Sequence, residues 1–302
     1  MKNAFNNKLL GRVAVFAVAG AVAVGQFAGF FRNNAVAAQA EEVSEIVYCA
    51  DTVYGDDIFS GQGTMTESSY TIDCDEKVLV SYAKQASVPS YGNNDASMQN
   101  ICGPVAGTNI VVYYDRWYEN LISNFQPGMV ITNGEYSYFP NLYRPQTKNL
   151  IRDLYEFMRV EEVGGTTSKN FRSGLTSYVE AHGYELSFSS MYQSETMVNL
   201  STLTTAINQG KVGIVMCSEY NFVYSIDQMI SNGSVTVSRN NSTTAHMMMV
   251  FGYETLAFYK NGEYICTKTF LTVCSGYDGN DIGYMELSDF SVINEAYIVS
   301  IT

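Results

Sequence analysis

Only five prolines and one tryptophan occur in 302 residues, histidine appears twice, and charged residues make up just 16% of the chain. So little proline leaves no room for a proline-rich linker or a collagen-like architecture. With two histidines, any imidazole chemistry near neutral pH falls to His182 or His246. Basic residues are also scarce, 17 against 30 acidic ones, for a net charge of −13. That balance argues against nucleic acid and anionic membrane surfaces as partners. There is no CxxC pair and no Cys/His cluster with ligand spacing, so no metal and no cofactor is expected.

The N-terminus reads as an export signal. Lys2, Lys8 and Arg12 precede an uncharged run from Val13 to Phe31, and Ala38-Gln39-Ala40 offers a small-x-small cleavage site. Residues 1–40 are therefore read as a signal peptide and the protein as secreted or held at the cell surface. The rival reading is a retained anchor, since the uncharged run is about long enough to span a bilayer; only then is the membrane a partner. Cleavage would remove four basic and no acidic residues and deepen the net charge to −17. The remaining length suits one large domain, with a possible N-terminal extension.

All six cysteines, at 49, 74, 102, 217, 266 and 274, follow the cleavage site. If one is reserved as a free nucleophile, five remain, and at least one more is unpaired. Residues 41–84 are rich in Thr, Ser, Tyr, Asp and Gly with short β-prone runs and no helical periodicity, and read as a strand-rich extension or propeptide-like segment. Residues 85–302 form the main domain. Helical patterns run from Cys102, over about Thr147 to Arg159, from Thr166-Thr167 to His182-Gly183, and from Leu200 to Asn208. Strands are expected at Tyr184–Phe188, Val212–Cys217, Ser234–Arg239, Met247–Glu254, Lys268–Val273 and Asp289–Ile301. Asn232-Gly233 and Asn261-Gly262 are hairpin-type turns. The run 136–143 is tyrosine-rich and is either satellite core or a binding loop.

Cys102 carries the strongest chemical signal. Gly103 and Pro104 follow it, and proline is well tolerated in a first helical turn, so the helix should begin at the sulfur. Ile110, Val111, Tyr113, Tyr114, Trp117 and Leu121 then recur at helical spacing. A thiol at a helix N-terminus feels the positive end of the macrodipole, which favours the thiolate. The bland alternative is a small buried hydrophobe or half a disulfide. His246, 144 residues on, heads the apolar run MMMVFGYE. His182 stands just before a glycine, where an imidazole closes a helix.

Cys-Gly-Pro followed by small residues and an aromatic helix, with a distant His heading a strand that ends in Gly252-Tyr253, resembles the papain-like cysteine peptidases. The likeness is to the bacterial branch related to bacteriocin-leader peptidases. It implies an α+β fold, with a helical half carrying the nucleophile packed on a mostly antiparallel sheet. It implies a peptidase that acts on a peptide or protein substrate through Cys102 as nucleophile and His246 as base. A side-chain amide upstream of the cysteine would supply an oxyanion donor: Gln99 is three residues before Cys102, Asn94 eight before, and Ala96 occupies the usual place six before. The residue orienting His246 would come from Cys274, Ser275, Asp278 or Asn280, of which Asp278 alone could stabilise a cationic base by charge. The run Asp278–Asp289 spaces oxygens somewhat like a calcium loop, but Ile282 occupies a ligand position, which argues against an EF-hand. Two alternatives keep the same residues: an amidase or acyl transferase acting on cell-wall peptides, and a catalytically silent binding domain.

Overall fold

The computed structural model describes residues 58–59, 65–86, 88–92, 98–125, 131–133, 136–138, 145–194, 197–226, 229–277, 282–287 and 292–302. The signal-peptide reading of residues 1–40 lies outside them.

Nine strands form one sheet: β1 Met65–Asp73, β2 Glu76–Lys84, β3 Leu186–Ser190, β4 Val212–Val223, β5 Ser234–Ser242, β6 His246–Lys260, β7 Glu263–Cys274, β8 Ile282–Leu287 and β9 Val292–Ile301. Every pairing within it is antiparallel. The order runs β1-β5-β4-β8-β7-β6-β2, with β9 between β4 and β3. The long strand β4 is the hinge of this arrangement. Its first half pairs with β6 and β9, and its last residues pair with β5 and β8. Because β6 also pairs with β7, and β7 with β8, the ladders close on themselves around β4. β1 and β2 pair along β5 and β6, so residues 65–84 belong to the same sheet as the C-terminal half.

The turns form where the local chemistry allows them. Asn232-Gly233 and Asn261-Gly262 all have positive φ, between 52° and 78°, the backbone that the tightest two-residue hairpins demand. Within β6, Gly252 is a matter of room: a Cβ there would sit 2.4 Å from the backbone oxygen of Ala83 on β2. Gly252→Ala is therefore expected to force β2 away from β6 and destabilise the protein by about 1–3 kcal/mol, the usual cost of overpacking. A urea-unfolding midpoint checks it.

Four helices longer than one turn accompany the sheet among the described residues: α1 Cys102–Asp115, α2 Pro145–Phe157, α3 Ser168–Ala181 and α4 Leu200–Asn208. All fourteen residues of α1 are buried, as expected for a helix enclosed on every side. It packs on β6 and on α2 and α3, and its side chains share a core with Leu154, Phe171, Leu175, Met249 and Phe251. Thr167 caps α3 by accepting from the Asn170 N–H, and Asn199 caps α4 by accepting from Thr202. His182 closes α3, its Nδ1 2.7 Å from the Tyr178 carbonyl, at the helix end its following glycine marks.

The expected papain-like α+β fold, with a helical half carrying the nucleophile, is overturned. The described residues are mostly antiparallel sheet, and the helices are the minor part. The reason is physical: the β-branched and aromatic runs between residues 65 and 84 and between 212 and 301 find partners in one continuous set of ladders. α1 is a single buried helix against that sheet, flanked by α2 and α3.

Candidate functional site

Cys102 is the first residue of α1. The residue before it, Ile101, offers no side chain to cap the helix. Pro104 has no N–H, and the Met247, Gly103 and Cys102 amides lie near enough to the thiol to favour its ionised form. The sulfur thus lies against the backbone of the residue that follows His246. Gly103 is required for closeness, since a Cβ there would meet the Thr166 hydroxyl at 2.5 Å.

Two further segments converge on this point. Asn109 of α1 accepts from the Tyr91 N–H at 2.8 Å and donates to the Tyr91 carbonyl at 3.0 Å, which fixes residues 88–92 on the helix. Cys274, the last residue of β7, donates its S–H to the Pro89 carbonyl at 2.9 Å. The turn that follows, Ser275-Gly276-Tyr277, folds back towards α1: Gly276 has φ +75°, and a Cβ on it would lie 3.1 Å from Val105.

His246 opens β6 opposite Cys217 of β4, at a point where the β4–β9 ladder is irregular between Met216 and Glu219. Its Nε2 is 2.6 Å from the backbone oxygen of Ser275. A carbonyl only accepts, so Nε2 carries the proton and Nδ1 carries the lone pair. Nδ1 has no hydrogen-bond partner among the described residues. The hydrogen-bond partner of the ring among the described residues is thus the Ser275 backbone, while Asp278 and Asn280 lie outside them. Tyr277 stacks on the imidazole, ring centroids 4.5 Å apart and planes 12° apart, and Tyr220 of β4 lies 5.8 Å away at 23°.

Both side chains are buried, Cys102 at 6% exposure and His246 at 2%. Burial pushes the Cys102 thiol up to about 12, against the smaller stabilising effect of the three amides. Burial likewise pushes His246 down to about 4, partly offset by the Ser275 carbonyl. At neutral pH Cys102 is a thiol and His246 a neutral imidazole. That differs from the thiolate expected from the helix dipole, because desolvation of the sulfur outweighs the amides around it.

Gln99 is exposed and separated from Cys102 by Asn100, whose φ is +60°, and by Ile101; it lies at the surface while the pair is buried. Asp278, Asn280, Asn94 and Ala96 lie outside the described residues, as does the tyrosine-rich run beyond Tyr138. Sequence reasoning missed Tyr220 and Tyr277, and with 23 tyrosines in the chain nothing marks these two. Among the described residues no group of three or more His, Cys, Asp or Glu side chains is arranged to hold a metal ion. No protein-family model, curated protein or solved structure matches this chain.

Proposed function

We propose that this chain is an exported cysteine-dependent hydrolase that cleaves peptide bonds, with Cys102 as nucleophile and His246 as base. The observation that carries the reading is the convergence of a thiol and an imidazole on the start of β6. The Cys102 thiol lies against the Met247 backbone, and the preceding residue, His246, has its proton fixed on Nε2 and its Nδ1 without a hydrogen-bond partner among the described residues. As the sulfur attacks a peptide carbonyl, its proton passes to Nδ1 of His246, and the carbonyl oxygen becomes an oxyanion within reach of the Cys102 and Gly103 amides. The imidazolium returns the proton to the leaving amine. Water, deprotonated by the same nitrogen, then hydrolyses the thioester. The likeness to papain-like peptidases supports this through the segments Cys102-Gly103-Pro104 and His246 to Tyr253 alone.

The deep burial of both groups favours a second reading, a catalytically silent binding domain. Incubation with casein and with peptidoglycan, with and without an irreversible thiol-directed peptidase inhibitor, separates the readings. Soluble peptides from casein, lost when mass mapping finds Cys102 labelled, are the expected result. Release from peptidoglycan alone would make the enzyme a cell-wall amidase, and no release with Cys102 unlabelled would leave the binding domain.

A further inference from the structure

A series of hydrogen-bonded residues leads from the backbone beside His246 to its ring, and the dyad chemistry above does not use it. It starts two residues before His246, where the Thr244 N–H donates to Ser242 Oγ at 3.2 Å. Ser242 in turn bonds the Tyr220 hydroxyl, and these two residues face each other across the β4–β5 ladder. The Tyr220 and Tyr277 hydroxyls meet at 2.5 Å. The Tyr277 N–H donates to Ser275 Oγ at 3.1 Å, and the Ser275 carbonyl receives the proton of His246 Nε2. The chain thus leaves the backbone beside His246 and returns to its ring. The two tyrosine rings in it lie nearly parallel to that ring.

We propose that Tyr277 and Tyr220 are positioning residues for His246: joined through their hydroxyls, they hold the imidazole in the one plane in which Nε2–H meets the Ser275 carbonyl and Nδ1 stays free as the base. A backbone carbonyl alone is a weak guide for a ring. It fixes one atom, and rotation about the side-chain bonds could still tip the ring or exchange its nitrogens. A stacked ring supplies the missing plane, and the hydroxyl bond ties that ring to β4, which pairs directly with His246. All of these partners are uncharged: burial raises both phenols above their ordinary range. Among the described residues, orientation therefore comes from shape and hydrogen bonding, with no carboxylate on the ring. The catalytic consequence rests on the dyad reading; the orientation itself does not.

The chain has two histidines, so ¹⁵N-resolved NMR of the full-length protein separates His246 from His182 without crowding. The wild type is expected to show His246 as a single Nε2–H tautomer that resists protonation to about pH 4. Tyr277→Leu keeps apolar bulk but removes the plate and the hydroxyl. It is expected to give exchange between tautomers and protonation nearer pH 6.5, and to lower kcat on casein by roughly 10- to 100-fold with little change in KM. Tyr277→Phe and Tyr220→Phe keep the rings and break the hydroxyl bond, and should produce a smaller change of the same kind. They also serve if Tyr277→Leu fails to fold. An unchanged tautomer and titration of His246 in folded variants overturns the proposal. If the NMR changes appear but Cys102→Ala shows that no turnover depends on the thiol, the positioning stands and the dyad reading falls.

Discussion

His246→Gln is expected to lower casein turnover by about 10²- to 10⁴-fold, the usual contribution of a positioned general base. Glutamine retains an N–H that can donate to the Ser275 carbonyl, so the turn Ser275-Gly276-Tyr277 keeps its partner and the comparison isolates the base. The loss should be large because the thiol has no other means of ionising. Burial holds Cys102 near 12, and the amides of Cys102, Gly103 and Met247 do not overcome it. In the proposed mechanism the sulfur becomes nucleophilic as its proton moves to Nδ1. The acid limb of the wild-type rate profile should accordingly fall near pH 4, where His246 takes its proton, and not near the ordinary imidazole value of about 6.5. A rate–pH profile between pH 3.5 and 9 for both proteins checks this. A variant as fast as wild type would remove His246 from the base role, whereas an acid limb near 6.5 would mean that the imidazole is open to water.

Local features of this site were legible in the sequence, whereas its surroundings were not. The start of α1 at Cys102 follows from Gly103-Pro104, and the two Asn-Gly turns follow from a backbone conformation that these residues adopt cheaply. The span of α4 and the helix end at His182 were equally plain. Pairing of strands distant in the chain was not. The ladder between Ser242 and Tyr220, or between Cys217 and His246, depends on which apolar strand meets which, and alternation alone does not choose among nine candidates. For the same reason the sheet was underestimated: β1 and β2 look like a loose extension until β5 and β6 give them partners. The state of the thiol was misjudged because a sequence shows the helix end but not how thoroughly the rest of the chain will bury it. Ser275 was a candidate, but as a backbone carbonyl it acts through a group that every residue carries.

Lowering the pH from 6.5 to 4 is expected to cost the folded state about 3 kcal/mol through His246 alone, since its proton affinity differs by about 2.5 pH units between the unfolded and folded chain. The sign follows from which state takes up the proton. Below pH 6.5 the unfolded chain protonates this residue, while the buried imidazole stays neutral until about pH 4, so the unfolded state alone is stabilised as acid is added. Above 6.5 both states are neutral, and below 4 both are charged, so the change is confined to that window. Asp115 acts in the opposite direction. Burial raises its carboxyl to about 6, against the Ile122 N–H that it accepts at 2.8 Å. It therefore protonates first in the folded state, which gains stability as pH falls from about 6 towards 3.8. The wild-type curve is the sum of these and other groups, whereas the difference between wild type and His246→Gln isolates the imidazole. Urea-unfolding free energies measured for both proteins at half-unit steps from pH 7.5 to 4 should show the wild type losing about 3 kcal/mol relative to the variant as pH falls. Parallel curves would mean that His246 protonates as readily in the folded protein as in the unfolded chain, and that the site is open to water.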